Sequence, residues 1–186
     1  MINAIKFSGT TNNKLSIALL NAITGEANAT IRNLDDGSVR KENLAPVTNY
    51  NVISLTQQLL NDYSSVGLHN TNVNRSGGGL NANNTVFVAD LFDEKRNFNF
   101  RSRFYFSKAP RLSEKNGFRG SISLEELRGN VQFAAGWVGT DKYYNQNELG
   151  YFNQLNNQRV YTRIRYQIFE EYKILRNYSN YSYMGQ

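Results

Sequence analysis

The sequence predicts a mainly β protein with minor α content. The expected architecture is an antiparallel β-sandwich or partly closed barrel, with one clear helix near residues 52–64 and an extended C-terminal arm. Two observations carry this expectation. Apolar and polar residues alternate with period two in the segments 85–92, 97–106 and 158–168, as in half-buried strands. Turn-forming residues separate such segments, most plainly Asp35-Asp36-Gly37 and Asp93-Glu94-Lys95-Arg96.

In chain order, the first segment is two-valued. Leu15, Ile17 and Leu19 alternate like a strand, while Leu15, Leu19, Ala22 and Ile23 fit a helical stripe that Gly25 would end. Residues 29–34 and 38–40 flank Asp-Asp-Gly and read as a hairpin. At 52–64, Val52, Leu55, Leu59 and Tyr63 share one helical face, with Leu60 beside them and Gly67 as a stop. Residues 69–84, with three successive glycines and many asparagines, have the composition of a flexible loop. Beyond it, 85–92 and 97–106 form a hairpin. Phe98, Phe100, Phe104 and Phe106 occupy one face of its second strand, and Asn99, Arg101, Arg103 and Tyr105 the other. Ser123 to Leu127 suggests a single helical turn, and Val131, Phe133, Ala135 and Trp137 a further apolar face. In 158–168, Val160, Thr162, Ile164, Tyr166 and Ile168 oppose Tyr161, Arg163, Arg165 and Gln167. The expected division is a mixed α/β part at 1–68, the loop at 69–84, an antiparallel β domain at 85–168 and a Tyr/Asn-rich arm at 169–186.

The chemistry is narrow. Cysteine is absent and histidine occurs once, at His69, so thiolate sites and two-histidine metal sites are excluded. His69 falls in the expected loop, a poor place to hold a catalytic base. The acidic pairs Asp35/Asp36, Asp93/Glu94, Glu125/Glu126 and Glu170/Glu171 lie in turns or are adjacent in sequence. Asp90 stands out: it falls on the otherwise apolar Val86/Val88/Phe92 face, where it either pairs with an arginine of the neighbouring strand or ends the buried stretch. The expectation is a non-enzyme with no cofactor and no metal.

What remains is contact chemistry. The net charge is +6, and the segment from Lys95 to Arg119 carries eight Lys/Arg against one Glu. Nine of the twelve tyrosines follow residue 142, and asparagine occurs 27 times. Arginine, tyrosine and asparagine suit adaptable interfaces. Interface or anionic-partner candidates are Arg101, Arg103, Tyr105, Tyr161, Arg163, Arg165, Tyr172, Tyr178, Tyr181 and Tyr183. No signal peptide is read at the start, and no apolar run approaches the ~18 residues of a membrane helix. The functional expectation is a structural subunit of a large assembly, foremost a bacteriophage virion protein of the capsid, the head-to-tail connector or the tail. Such a protein is made in the host cytoplasm and ends in the virion. Its partners are copies of itself and other structural proteins, with nucleic acid less favoured and no membrane. The alternatives are a carbohydrate-binding β-sandwich module and a single-stranded nucleic-acid binder using Arg101, Arg103 and Tyr105.

Overall fold

The structure is a computed structural model that describes residues 1–77, 81–108, 115–145, 156–168 and 178–185. The described residues contain strands and no helix. Ten strands form one antiparallel sheet: β1 (Asn3–Thr10), β2 (Leu15–Thr24), β5 (Thr48–Gln58), β6 (Ser65–Arg75), β7 (Ala82–Phe92), β8 (Phe98–Lys108), β9 (Gly117–Glu126), β10 (Val131–Thr140), β11 (Asn157–Ile168) and β12 (Tyr178–Gly185). A separate hairpin pairs β3 (Ala27–Arg32) with β4 (Val39–Ala45). In the large sheet each strand pairs with the strands before and after it in that order, an up-and-down meander. The sheet is not closed: β1 and β12 are its two edges.

The expected helix at 52–64 does not form. Residues 48–58 are β5, residues 59–64 are a turn, and β6 follows. Val52 and Leu55, on one side of a helix, fall on opposite faces of β5, and Leu60 takes a left-handed φ of 69° in the turn. The stretch is rich in residues suited to strands (Val52, Ile53, Thr56). Its ladders to β2 and β6 supply residues 52–58 with the backbone hydrogen bonding that a helix would have supplied locally. The helical turn at Ser123 to Leu127 is likewise replaced by β9, which runs to Glu126. The stretch 69–84 is mostly strand, since β6 extends to Arg75 and β7 begins at Ala82. Of the C-terminal arm, residues 178–185 return along β11 as an edge strand, with Ile168 opposite Tyr178 and Tyr161 opposite Gly185. Tyr172 lies outside the described residues.

The turns follow local chemistry. Gly37 has a φ of 69° in the Asp-Asp-Gly turn, where a Cβ would be strained. In the β7–β8 turn, Asp93 Oδ1 accepts the Phe98 N–H at 2.7 Å and the Asp93 carbonyl accepts the Arg96 N–H at 3.0 Å.

There is almost no core. Val73, Ala82, Ala134 and Tyr144 are the buried apolar side chains among the described residues. The accessible surface is 13194 Å². A compact chain of 21.2 kDa exposes about 9,100 Å². A sandwich would cover one face of the sheet with another layer. Here the substantial contacts between elements run only along the ladders, so both faces of the sheet are open.

Candidate functional site: a two-faced sheet

Because directly paired residues share a face, the register assigns every strand residue to one side. One face is apolar. It carries Leu15, Ile17 and Leu19 of β2, Ile53 and Leu55 of β5, and Phe87 and Leu91 of β7. The four phenylalanines of β8 join them, followed by Ile122 and Leu124 of β9, Phe133 and Trp137 of β10, and Val160 and Ile164 of β11. Among the described residues, every exposed large apolar side chain of the ten-stranded sheet lies on this face, Leu20 alone excepted. The only charged residues on it are Lys108 and Glu126, both at strand ends.

The apolar residues form an oblique band. The register line through Leu15 runs by way of Gln57, Val66, Ala89, Ser102, Ile122 and Trp137 to Val160. Leu15 is the first apolar residue of its strand, next to the turn at 11–14. Val160 lies at the other limit of its own run, next to the connection 141–156. Between β2 and β11 the band shifts by about five residues, about 17 Å, over seven strand spacings of about 4.8 Å each. A planar apolar slab crossed by tilted strands leaves this imprint.

The two margins differ. On one side lie the turns 11–14, 59–64, 93–97 and 127–130 and the connection 169–177. On the other lie the connections 25–47, which holds the β3–β4 hairpin, 76–81, 109–116 and 141–156. On the apolar face this second margin is an amide patch. Asn21 Nδ2 donates to Asn49 Oδ1 at 2.6 Å and to Asn51 Oδ1 at 2.8 Å, and Asn70 Nδ2 donates to Thr85 Oγ1 at 2.7 Å.

The opposite face holds nearly all the charged strand residues of the ten-stranded sheet, together with Val86, Val88 and Phe92, the apolar side of β7 on which Asp90 falls. Asp90 Oδ1 accepts from Arg101 Nε at 2.6 Å, and its Oδ2 lies 3.6 Å from Arg103 Nη2. Glu125 pairs with Arg163 across the intervening strand β10. Arg119 lies over the Tyr105 ring, 5.7 Å from its centroid, and Arg159 at the same distance from that of Tyr161. Tyr105 meets Tyr144 edge-on at 6.2 Å. Burial pushes the Tyr144 phenol above its ordinary value of 10.0, against a lowering hydrogen bond from Asn84.

The arginines and tyrosines singled out at the sequence level thus divide cleanly. Arg101, Arg103, Tyr105, Tyr161, Arg163 and Arg165 are brought together on the polar face. Tyr181 and Tyr183 stand opposite Arg165 and Arg163 in the backbone register, and Tyr178 opposite Ile168. Arg119, Glu125 and Arg159 belong to the same surface but are not among the candidates read from the sequence. Their signal was their even spacing from Ser121, Ser123 and Arg163. His69 sits in β6, not in a loop, with Nδ1 2.7 Å from Ser54 Oγ. No cluster of three His, Cys, Asp or Glu side chains capable of holding a metal is present among the described residues.

The family described as Domain of unknown function (DUF5916) matches residues 1–186. The chain belongs to this family. No curated protein and no solved structure matches it. The family's description carries no activity, so a functional argument rests on the two faces.

Proposed function

We propose that this chain forms part of the wall of a membrane-spanning β-barrel, with its apolar face toward lipid and its polar face toward an aqueous interior. The observation that carries this reading is the oblique apolar band, almost free of charge, opposite a face of arginine, carboxylate and hydroxyl side chains. Most strands have 10 to 12 residues, and a tilted strand needs about 9–11 to cross the hydrocarbon. In water, an apolar sheet face of this extent without a second layer loses the free energy that folding normally draws from burial. A bilayer supplies the missing layer. The amphipathic aromatic residues Trp137 and Tyr166 stand near opposite margins of the band, as in interfacial girdles. The sheet's two edges, β1 and β12, would be paired in a closed wall.

This departs from the expectation of a membrane-free protein. That expectation rested on the lack of a long apolar run, and no described helix is long and apolar enough to cross a membrane. That criterion does not address strands. The assembly reading accounts for the apolar face in another way, by covering it with further copies or other structural proteins.

The deciding experiment is recovery of the full chain from its cells. We expect it in the membrane fraction, soluble only in detergent, and folding spontaneously into lipid vesicles with heat-modifiable gel mobility. Recovery from the aqueous fraction as a defined high-mass particle would overturn the proposal in favour of a protein assembly.

A further inference from the structure

We infer that the polar face lines an anion-selective passage for small solutes bearing carboxylate or phosphate groups. The inference rests on the barrel reading. Within the ten strands the polar face holds Asp90 and Glu125 as its only carboxylates among the described residues. Against them stand eight cations. Six are the arginines of β8, β9 and β11, and the others are Lys6 and Arg75. The two carboxylates are already engaged, Asp90 with Arg101 and Arg103, and Glu125 with Arg163. By formal charge, the strand residues of this face sum to +6, while Lys108 and Glu126 cancel on the apolar face. Arginine holds its charge at any physiological pH and presents a fork that fits carboxylate and phosphate oxygens in pairs.

The relief of the face shapes this charge. Arg101 and Arg103 on β8 and Arg159, Arg163 and Arg165 on β11 form two rows, about 14 Å apart at ordinary strand spacing. Between them, β9 and β10 present Ser121, Ser123, Ala134 and Gly136. The lane between the rows is bridged. Glu125 pairs with Arg163 across β10 at Ala134, which is buried, and the Tyr161 ring lies over Gly136. The two rows and these bridges make one continuous basic surface. A low-dielectric wall bearing such a surface focuses its field on the aqueous interior, attracting anions and repelling cations.

The test is ion selectivity of the purified full chain in planar lipid bilayers under a potassium chloride gradient. The expected result is a reversal potential of the sign that marks chloride as the more permeant ion by several-fold, with chloride current inhibited by added phosphate. Arg159→Glu and Arg165→Glu together should abolish most of that preference. Both side chains are exposed and neither holds a carboxylate of the face. Arg159→Gln with Arg165→Gln should give an intermediate value, and heat-modifiable mobility verifies that each variant is folded. Channels that are unselective or prefer potassium overturn the inference and leave the barrel standing, as does insertion without conductance. Failure to insert at all overturns the barrel reading itself.

Discussion

Asp90 and Arg101 face each other across the β7–β8 ladder, with Oδ1 2.6 Å from Nε. On the adjacent rung, Leu91 and Phe100 are also paired, on the other side of the sheet. An ion pair and an apolar pair thus occupy adjacent rungs on opposite faces. A double-mutant cycle on Asp90 and Arg101 should return a coupling of about 1 kcal/mol or less, because both side chains are about a third or more exposed and the pair is screened. Asp90→Ala should cost more than Arg101→Ala, since it leaves Arg101 and Arg103 adjacent without their shared carboxylate. Unfolding titrations at low and high salt check both statements, and the coupling should shrink with salt.

The two faces should respond oppositely to charge. Phe87→Arg places a cation in the apolar band and is expected to destabilise the protein in lipid vesicles by about 2–4 kcal/mol. Thr56→Lys, on the polar face of β5, should change stability by less than about 1 kcal/mol. Equal effects in a vesicle-based unfolding titration would remove the basis for assigning one face to lipid.

Gly117 is the tightest backbone approach in the sheet. A Cβ built there would collide with the backbone of Tyr144, which cannot move aside as a side-chain tip would. Gly117→Ala should therefore destabilise by about 1–3 kcal/mol, as overpacking does. The Tyr144 fluorescence or near-ultraviolet signal should change with it. A neutral outcome in a melting experiment would mean that residues 141–145 do not pack on β9.

The buried Tyr144 phenol gives a pH dependence at the alkaline end. Its deprotonation is disfavoured in the folded chain. Its contribution is fully present below the unfolded value near 10.0 and is lost as pH rises from there through the higher folded value. Unfolding midpoints should fall above about pH 10. Tyr144→Phe should flatten part of that fall while losing the hydrogen bond to Asn84 at neutral pH. An absorbance titration of the phenolates that shows no late-titrating tyrosine would contradict this assignment.

The sequence by itself determined which residues alternate. Period-two patterning placed Phe98, Phe100, Phe104 and Phe106 against Arg101, Arg103 and Tyr105. It offered an arginine of the neighbouring strand as one of two readings of Asp90 and located the Asp-Gly and Asp93-to-Arg96 turns, because strand faces and tight turns are written in neighbouring residues. It pointed to a helix at 52–64 and was wrong there, because Val52, Leu55, Leu59 and Tyr63 satisfy a helix as well as Ile53 and Leu55 satisfy a strand. Only the ladders to β2 and β6 break that tie, since backbone hydrogen bonding there is supplied by residues far along the chain. The tertiary structure alone decided that the apolar sides of separate strands fall on one continuous face, and that Arg103 and Arg165 share the other. A slip of one residue in any ladder would have turned a strand over, and the register that prevents it is a property of paired strands, not of any single one.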